Sequence, residues 1–118
     1  ACSPTKLAAT FPAQGVRPLE TISFDIAGIK HRSIAEQAEA LKLAEGDNIY
    51  LQREPFNKYD RNAIAVYTNS GTKIGYVPRA LVVKLAPRFD IGCDYTCVID
   101  TIYKFDKHTR IVVHCELD

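Results

Sequence analysis

The chain has 118 residues, 47% of them apolar and 25% charged, which is the length and composition of one ordinary globular domain. A chain of this size buries somewhat over about 60% of the surface it exposes when unfolded, so it needs neither a metal nor a disulfide to form a core. A net charge of +1 excludes a protein that holds polyanions by overall charge alone, and no apolar run approaches the roughly 18 residues that span a bilayer.

Residues 1–19 read as a flexible tail or linker, because Pro4, Pro12, Gly15 and Pro18 interrupt any periodicity. The chain contains no methionine, so Ala1 is expected to begin a processed form or an excised piece. Ala1-Cys2-Ser3 also permits the alternative of a lipoprotein cleavage site. The domain is expected over residues 20–118.

Thr21–Ile26 alternates polar and apolar residues, which puts Ile22, Phe24 and Ile26 on one face of a strand that ends at Gly28. Ser33 and Glu36 have the spacing of a capping box. Ile34, Ala38 and Leu41 then recur at helical spacing until Gly46 stops the segment. Asn48–Arg53, Ala63–Tyr67 and Lys73–Val77 read as three strands, with a hairpin turn at Asn69-Ser70-Gly71. Pro78 closes the third, and Leu81, Val82, Leu85 and Phe89 make a short amphipathic helix with Lys84 and Arg88 on one face. Tyr95–Tyr103 and Arg110–Glu116 are β-branched strands around the turn Lys104–Thr109. Six short strands and two short helices predict a mainly β domain, a small barrel or strongly curved sheet, because closure removes exposed edges.

Charge is uneven along this order. Residues 46–90 hold seven basic side chains against four acidic, a local excess of +3, where the flanks carry 0 and −2. Such clustering has two readings, an anionic partner or an ordinary solvated surface.

Two linked motifs carry a family resemblance. The stretch Arg53-Glu54-Pro55-Phe56-Asn57-Lys58-Tyr59-Asp60-Arg61-Asn62-Ala63-Ile64-Ala65-Val66, followed by Lys73-Ile74-Gly75-Tyr76-Val77-Pro78-Arg79, resembles the central signature of HIRAN domains. Ile26-Ala27-Gly28, Gly46-Asp47 and Leu51 fit the same pattern, which covers residues 22–90 closely and 91–118 loosely. HIRAN domains occur at the front of Swi/Snf-type DNA translocases that remodel stalled forks and as stand-alone bacterial proteins; this chain is similar to the second kind. The resemblance implies an OB-like six-stranded barrel that captures the free 3′ end of single-stranded DNA.

It also implies roles for particular residues. Tyr59 and Asp60 match the family's stacking tyrosine and the aspartate that reads the terminal hydroxyl, within the Asn57-Lys58-Tyr59-Asp60 loop. Read without the resemblance, Asp60 caps a turn and Tyr59 covers a barrel rim. Lys30 and His31 fall where the family carries an arginine and a second stacking aromatic. Tyr76 stands where the reference member has a histidine, and Arg79 where it has a lysine near the phosphates. Lys58 replaces a proline. Phe56 replaces an asparagine and is either a further stacking surface or core.

Cys93, Cys97, His108, His114 and Cys115 invite a zinc reading. Structural zinc ligands usually come in pairs from tight turns, whereas Cys97 and Cys115 lie in strands and His114 and Cys115 point to opposite faces, so no metal or cofactor is expected. If the last hairpin turns about Asp106, Cys97 and Cys115 fall opposite each other. They then bridge in an oxidising compartment or remain buried thiols in a reducing one. No Gly-rich phosphate loop, Gly-x-Ser-x-Gly elbow or His-Glu-x-x-His helix occurs, and His31 with Asp60 is the only conceivable acid–base pair, without a nucleophile. Binding rather than catalysis is expected. Single-stranded DNA ends are the expected partner, with the cytoplasm as the compartment only if the chain binds DNA; the alternative is an exported or envelope-associated interaction module that keeps the barrel and lacks the DNA site.

Overall fold

The computed structural model describes residues 20–105 and 108–118, so the tail expected over 1–19 and the turn centre at Asp106 lie outside the described residues. The elements run β1 (Glu20–Asp25), a 3-10 turn (Ile29–His31), α1 (Ile34–Leu41), β2 (Asn48–Arg53), β3 (Ile64–Thr68), β4 (Lys73–Tyr76), α2 (Arg79–Asp90), β5 (Tyr95–Lys104) and β6 (Thr109–Leu117). β2 alternates as its sequence does, burying Ile49 and Leu51 and exposing Tyr50. β3 is different: Ile64, Ala65 and Val66 are all buried, the pattern of a strand covered on both faces.

The six strands form one antiparallel sheet in the order β1-β6-β5-β2-β3-β4. The sheet curls until its two edges meet. Just beyond β1, Ala27 N–H donates to the Tyr76 carbonyl at 2.8 Å and Tyr76 N–H donates to the Ala27 carbonyl at 2.9 Å. This bridge joins the edge strands, and the expected mainly β, OB-like barrel takes the form of a half-barrel. Phe24, Ile26, Ile49, Ile74, Ile99 and Val113 fill the interior, and α2 adds Val82 and Leu85 to them.

Cys97 and Cys115 are opposite residues of the β5–β6 ladder, fully buried and joined as a disulfide. The bridged alternative therefore holds. It also removes both sulfurs from the zinc ligand set.

The helices depart from their sequence patterns. α1 ends at Leu41 rather than continuing to Gly46, because Asp47 accepts from Ala44 N–H at 2.9 Å and Gly46 takes a φ of 91°, which makes a tight turn into β2. The stripe of Ile34, Ala38 and Leu41 faces solvent, with Ile34 88% and Leu41 53% exposed, and Ala40 is buried instead. The cause is polar: Gln37 Nε2 donates to the carbonyls of Arg32 (2.8 Å) and Lys30 (3.3 Å), which pins its side of the helix to the preceding turn. α2 starts at Arg79, directly after Pro78 and two residues before Leu81, the first position of its apolar stripe. Pro78 is the N-cap, and its carbonyl accepts from Leu81 and Val82 N–H, so proline opens the helix as well as closing the strand.

Candidate functional site

The loop between β2 and β3 is closed at its base by Glu54 N–H donating to the Ala63 carbonyl at 2.9 Å. Inside it, Asn57 Oδ1 accepts from the backbone N–H of Tyr59 (2.8 Å) and of Asp60 (3.1 Å), an Asx-type turn that sets where both residues stand. Asn57 is therefore an organiser of the loop as well as a lining residue. Its amide orientation is fixed from behind, where Nδ2 donates to Glu54 Oε1 at 3.0 Å.

Glu54 is the centre of a network. It accepts from Lys73 Nζ at 2.6 Å and from the Tyr76 hydroxyl at 3.0 Å, and Lys73 also donates to the Tyr76 oxygen at 3.0 Å. Partial burial pushes the Glu54 carboxyl up, but hydrogen bonds from Lys73, Asn57 and Tyr76 outweigh it and hold its pKa below the ordinary value. Burial likewise pulls Lys73 down, and the bonds to Glu54 and Tyr76 leave it raised. The signs define a window. Stability from Glu54 is present above its ordinary value of 4.5 and is lost as pH falls through the folded value. Stability from Lys73 is present below 10.5 and is lost as pH rises through its folded value. Glu54→Gln is expected to lower unfolding free energy by about 1–2 kcal/mol at pH 7, because Asn57 and Lys73 lose a charged acceptor. Urea titrations should show that deficit beginning to shrink once pH falls below 4.5 and vanishing only below the depressed folded value, where the parent carboxylate is neutralised too.

Asp60 has two engagements. Oδ1 accepts from Asn62 N–H at 2.9 Å, which is the turn cap, and Oδ2 lies 3.4 Å from Arg79 Nε. Arg79, the first residue of α2, also donates from Nη2 to the Tyr59 carbonyl at 2.9 Å. The helix start thus clasps the loop. Tyr59 keeps its ring in solvent, 76% exposed, with Lys58 Nζ 5.1 Å from the ring centroid on one face.

These side chains converge on a cavity of about 420 Å³. Ala27, Ala63, Val77 and Val82 make its apolar floor, and Arg32, Asn57, Tyr59, Asp60, Tyr76 and Arg79 its rim. Apolar floor, two aromatic rings, a carboxylate and two guanidinium groups suit a ligand with a flat ring, a hydroxyl and an anionic linkage. A second cavity of about 630 Å³ lies against the same loop and shares Asn57, Tyr59 and Asp60 with the first.

Five of the eight residues expected at the site, Asn57, Tyr59, Asp60, Tyr76 and Arg79, therefore line one cavity. Lys30 and His31 lie in the exposed 3-10 turn beside it and line neither of these two cavities. Phe56 is 96% exposed, so of its two readings core is excluded; it too lines neither. Arg32 was not expected. It follows Lys30-His31 directly, and a left-handed Gly28 starts the turn that brings it to the cavity rim. Its Nη2 donates to Glu36 at 2.9 Å, while its buried Nε has no partner among the described residues. The signal in the sequence was the four-residue spacing to Glu36, which holds the guanidinium in place.

The HIRAN domain family model matches residues 19–117. A crystal structure of a protein from Lactobacillus plantarum is similar over 86% of this chain and 99% of that one, at 24% identity and a TM-score of 0.69. The crystal structure of the HIRAN domain of human HLTF is similar over 84% and 76% of the two chains, at 20% identity and a TM-score of 0.67. An NMR structure of the HLTF HIRAN domain in its DNA-bound conformation is similar over 82% and 73%, at 20% identity and a TM-score of 0.59. No curated protein matches the chain.

Proposed function

Because the chain belongs to the HIRAN domain family, we propose that it is a nucleic-acid-binding module that takes single-stranded DNA, preferably at a free 3′ end. The observation that carries this reading is the convergence of Tyr59, Asp60 and Arg79 on one cavity with an apolar floor. The DNA-bound conformation of the similar HLTF domain supports the same class of ligand.

Each group has a physical task. The exposed Tyr59 ring offers a stacking surface to any terminal base, since every base has a π-face. The Asp60 carboxylate accepts a hydrogen bond from a free hydroxyl and repels a phosphate at the same place. Arg79 exchanges its contact with Asp60, long at 3.4 Å, for a phosphate oxygen without unfolding the loop, which Asn57 holds independently. Lys30 and His31 approach from the turn beside the cavity and supply donors to the backbone of the strand. Phe56, fully presented to solvent, adds a second aromatic surface further along it. Tyr76 contributes its ring to the rim while its hydroxyl stays with Glu54.

Fluorescence anisotropy with a linear oligonucleotide of about ten residues and its circular counterpart tests the dependence on an end. Binding of the linear strand at least about tenfold tighter than the circle is expected, as one lost charge-assisted hydrogen bond contributes about 1.5–3 kcal/mol. Equal binding removes the end from the reading. One observation favours a second reading: the Cys97–Cys115 disulfide suits an oxidising compartment, and so an exported interaction module. Absence of binding to both forms would favour it.

A further inference from the structure

The second cavity is as close to Tyr59 and Asp60 as the first, yet its chemistry differs. Its lining includes three cations, Arg53, Lys58 and Arg61, with Asp60 as the acid among them. Two of these four charges are committed elsewhere. Arg53 Nε lies 2.9 Å from Asp90 and its Nη1 donates to the carbonyls of Arg61 and Ala63, so it braces the loop. Asp60 is turned to Arg79 and to the Asn62 amide. Lys58 and Arg61 remain, both exposed and without an ion pair among the described residues.

Lys58 has a position that links the two cavities. Its ammonium sits over one face of the Tyr59 ring at 5.1 Å, which leaves the other face for a base. A flexible four-carbon stem lets it move from the ring to a phosphate oxygen while the loop stays still, and an exposed cation–π contact contributes only about 0.5–1 kcal/mol to oppose that. Arg61 follows Asp60 directly and its guanidinium fork suits a phosphate held bidentately.

We infer that this second cavity binds the phosphodiester backbone of the nucleotides upstream of the end, with Lys58 and Arg61 as its phosphate contacts. The inference rests on the reading of the first cavity as the end pocket. Tyr59 and Asp60 then form a wall between two chambers, one reading the terminus and the other taking charge without regard to sequence. The site so described spans more than the terminal nucleotide, and its affinity depends on strand length as well as on the end.

The test is a salt titration and a length series on the Lys58→Gln/Arg61→Gln double variant, with Lys84→Gln, an exposed cation of α2 outside both cavities, as the charge control. Single-stranded contacts each contribute about 0.7 to the slope of log affinity against log salt, so the double variant is expected to lose about 1.4 and Lys84→Gln none. The double variant should also lose the gain in affinity between a dinucleotide and a hexanucleotide, while keeping the preference for a 3′ hydroxyl over a 3′ phosphate. Unchanged slope and length dependence in a protein whose parent binds strands overturns the second chamber and leaves the end pocket standing. An equal loss of slope in Lys84→Gln also overturns it, since the effect would then be general charge. A parent protein that binds no strand overturns both readings.

Discussion

Gly75→Ala is expected to destabilise the protein by about 3–5 kcal/mol although it adds a single carbon. Gly75 is buried in β4 against the end of β1, where a Cβ would stand 2.5 Å from Ile26 Cγ2 and 2.6 Å from the Ala27 carbonyl oxygen. The isoleucine methyl can turn away; the carbonyl is fixed by the paired hydrogen bonds between Ala27 and Tyr76. The added methyl must therefore push the two edge strands apart at the one bridge that joins them among the described residues. Two backbone hydrogen bonds of about 1 kcal/mol each are lost together with packing around Ile26 and Ile74. Urea unfolding gives the result as a shift in midpoint at unchanged slope. A loss under about 1 kcal/mol would mean that the seam yields, and that the half-barrel does not depend on it. Ala27 and Tyr76 also line the first cavity, so the variant should bind DNA poorly even where it is folded.

Tyr59→Ala should separate binding from stability. The ring is mostly in solvent, and the contacts that hold the residue use its backbone: its N–H donates to Asn57 and its carbonyl accepts from Arg79. Truncation leaves both contacts intact, so unfolding free energy should change by less than about 0.5 kcal/mol. Binding to a single strand should weaken by about 1–3 kcal/mol, roughly 5- to 150-fold, because the stacking surface is gone. Hydroxyl-terminated and phosphate-terminated strands should weaken alike, as the ring does not sense the end. Tyr59→Phe keeps the π-face and should retain most of the affinity. An alanine variant within twofold of the parent would remove Tyr59 from the interface.

Much of this site was legible because it lies in two contiguous motifs. Asn57, Tyr59, Asp60 and Arg79 belong to chemistry that local sequence encodes: an Asx turn, an aspartate that caps a turn, and an arginine at a helix start behind proline. The six strands were legible for the same reason, since alternation and turn residues are local signals. What the pattern concealed depends on contacts distant in sequence. Gly75 stands in the second motif, yet only the approach of Ile26 and Ala27 explains why it bears no side chain. Glu54 reads as one charge in a polar loop, and its bonds to Lys73 and Tyr76 cross 19 and 22 residues. α1 misled in the other direction: its apolar spacing was real, but Gln37 bonds to the turn before it and the stripe of Ile34 and Leu41 turns outward. Arg32 stood next to the two residues expected to act, and a left-handed glycine four positions earlier decides which of the three reaches the cavity.

The reading of a free 3′ hydroxyl by Asp60 is tested most directly by the affinities of one short strand in 3′-hydroxyl and 3′-phosphate forms, for the parent protein and for Asp60→Asn. Asparagine keeps an oxygen for the Asn62 amide, so the turn survives while the charge is removed. The parent should prefer the hydroxyl form by about 10- to 150-fold, the range of about 1.5–3 kcal/mol for a hydrogen bond to a charged group, and phosphate repulsion adds to it. Asp60→Asn should reduce that preference to within about threefold while losing less in total affinity than Tyr59→Ala does. Equal affinity of the parent protein for the two forms would contradict the account.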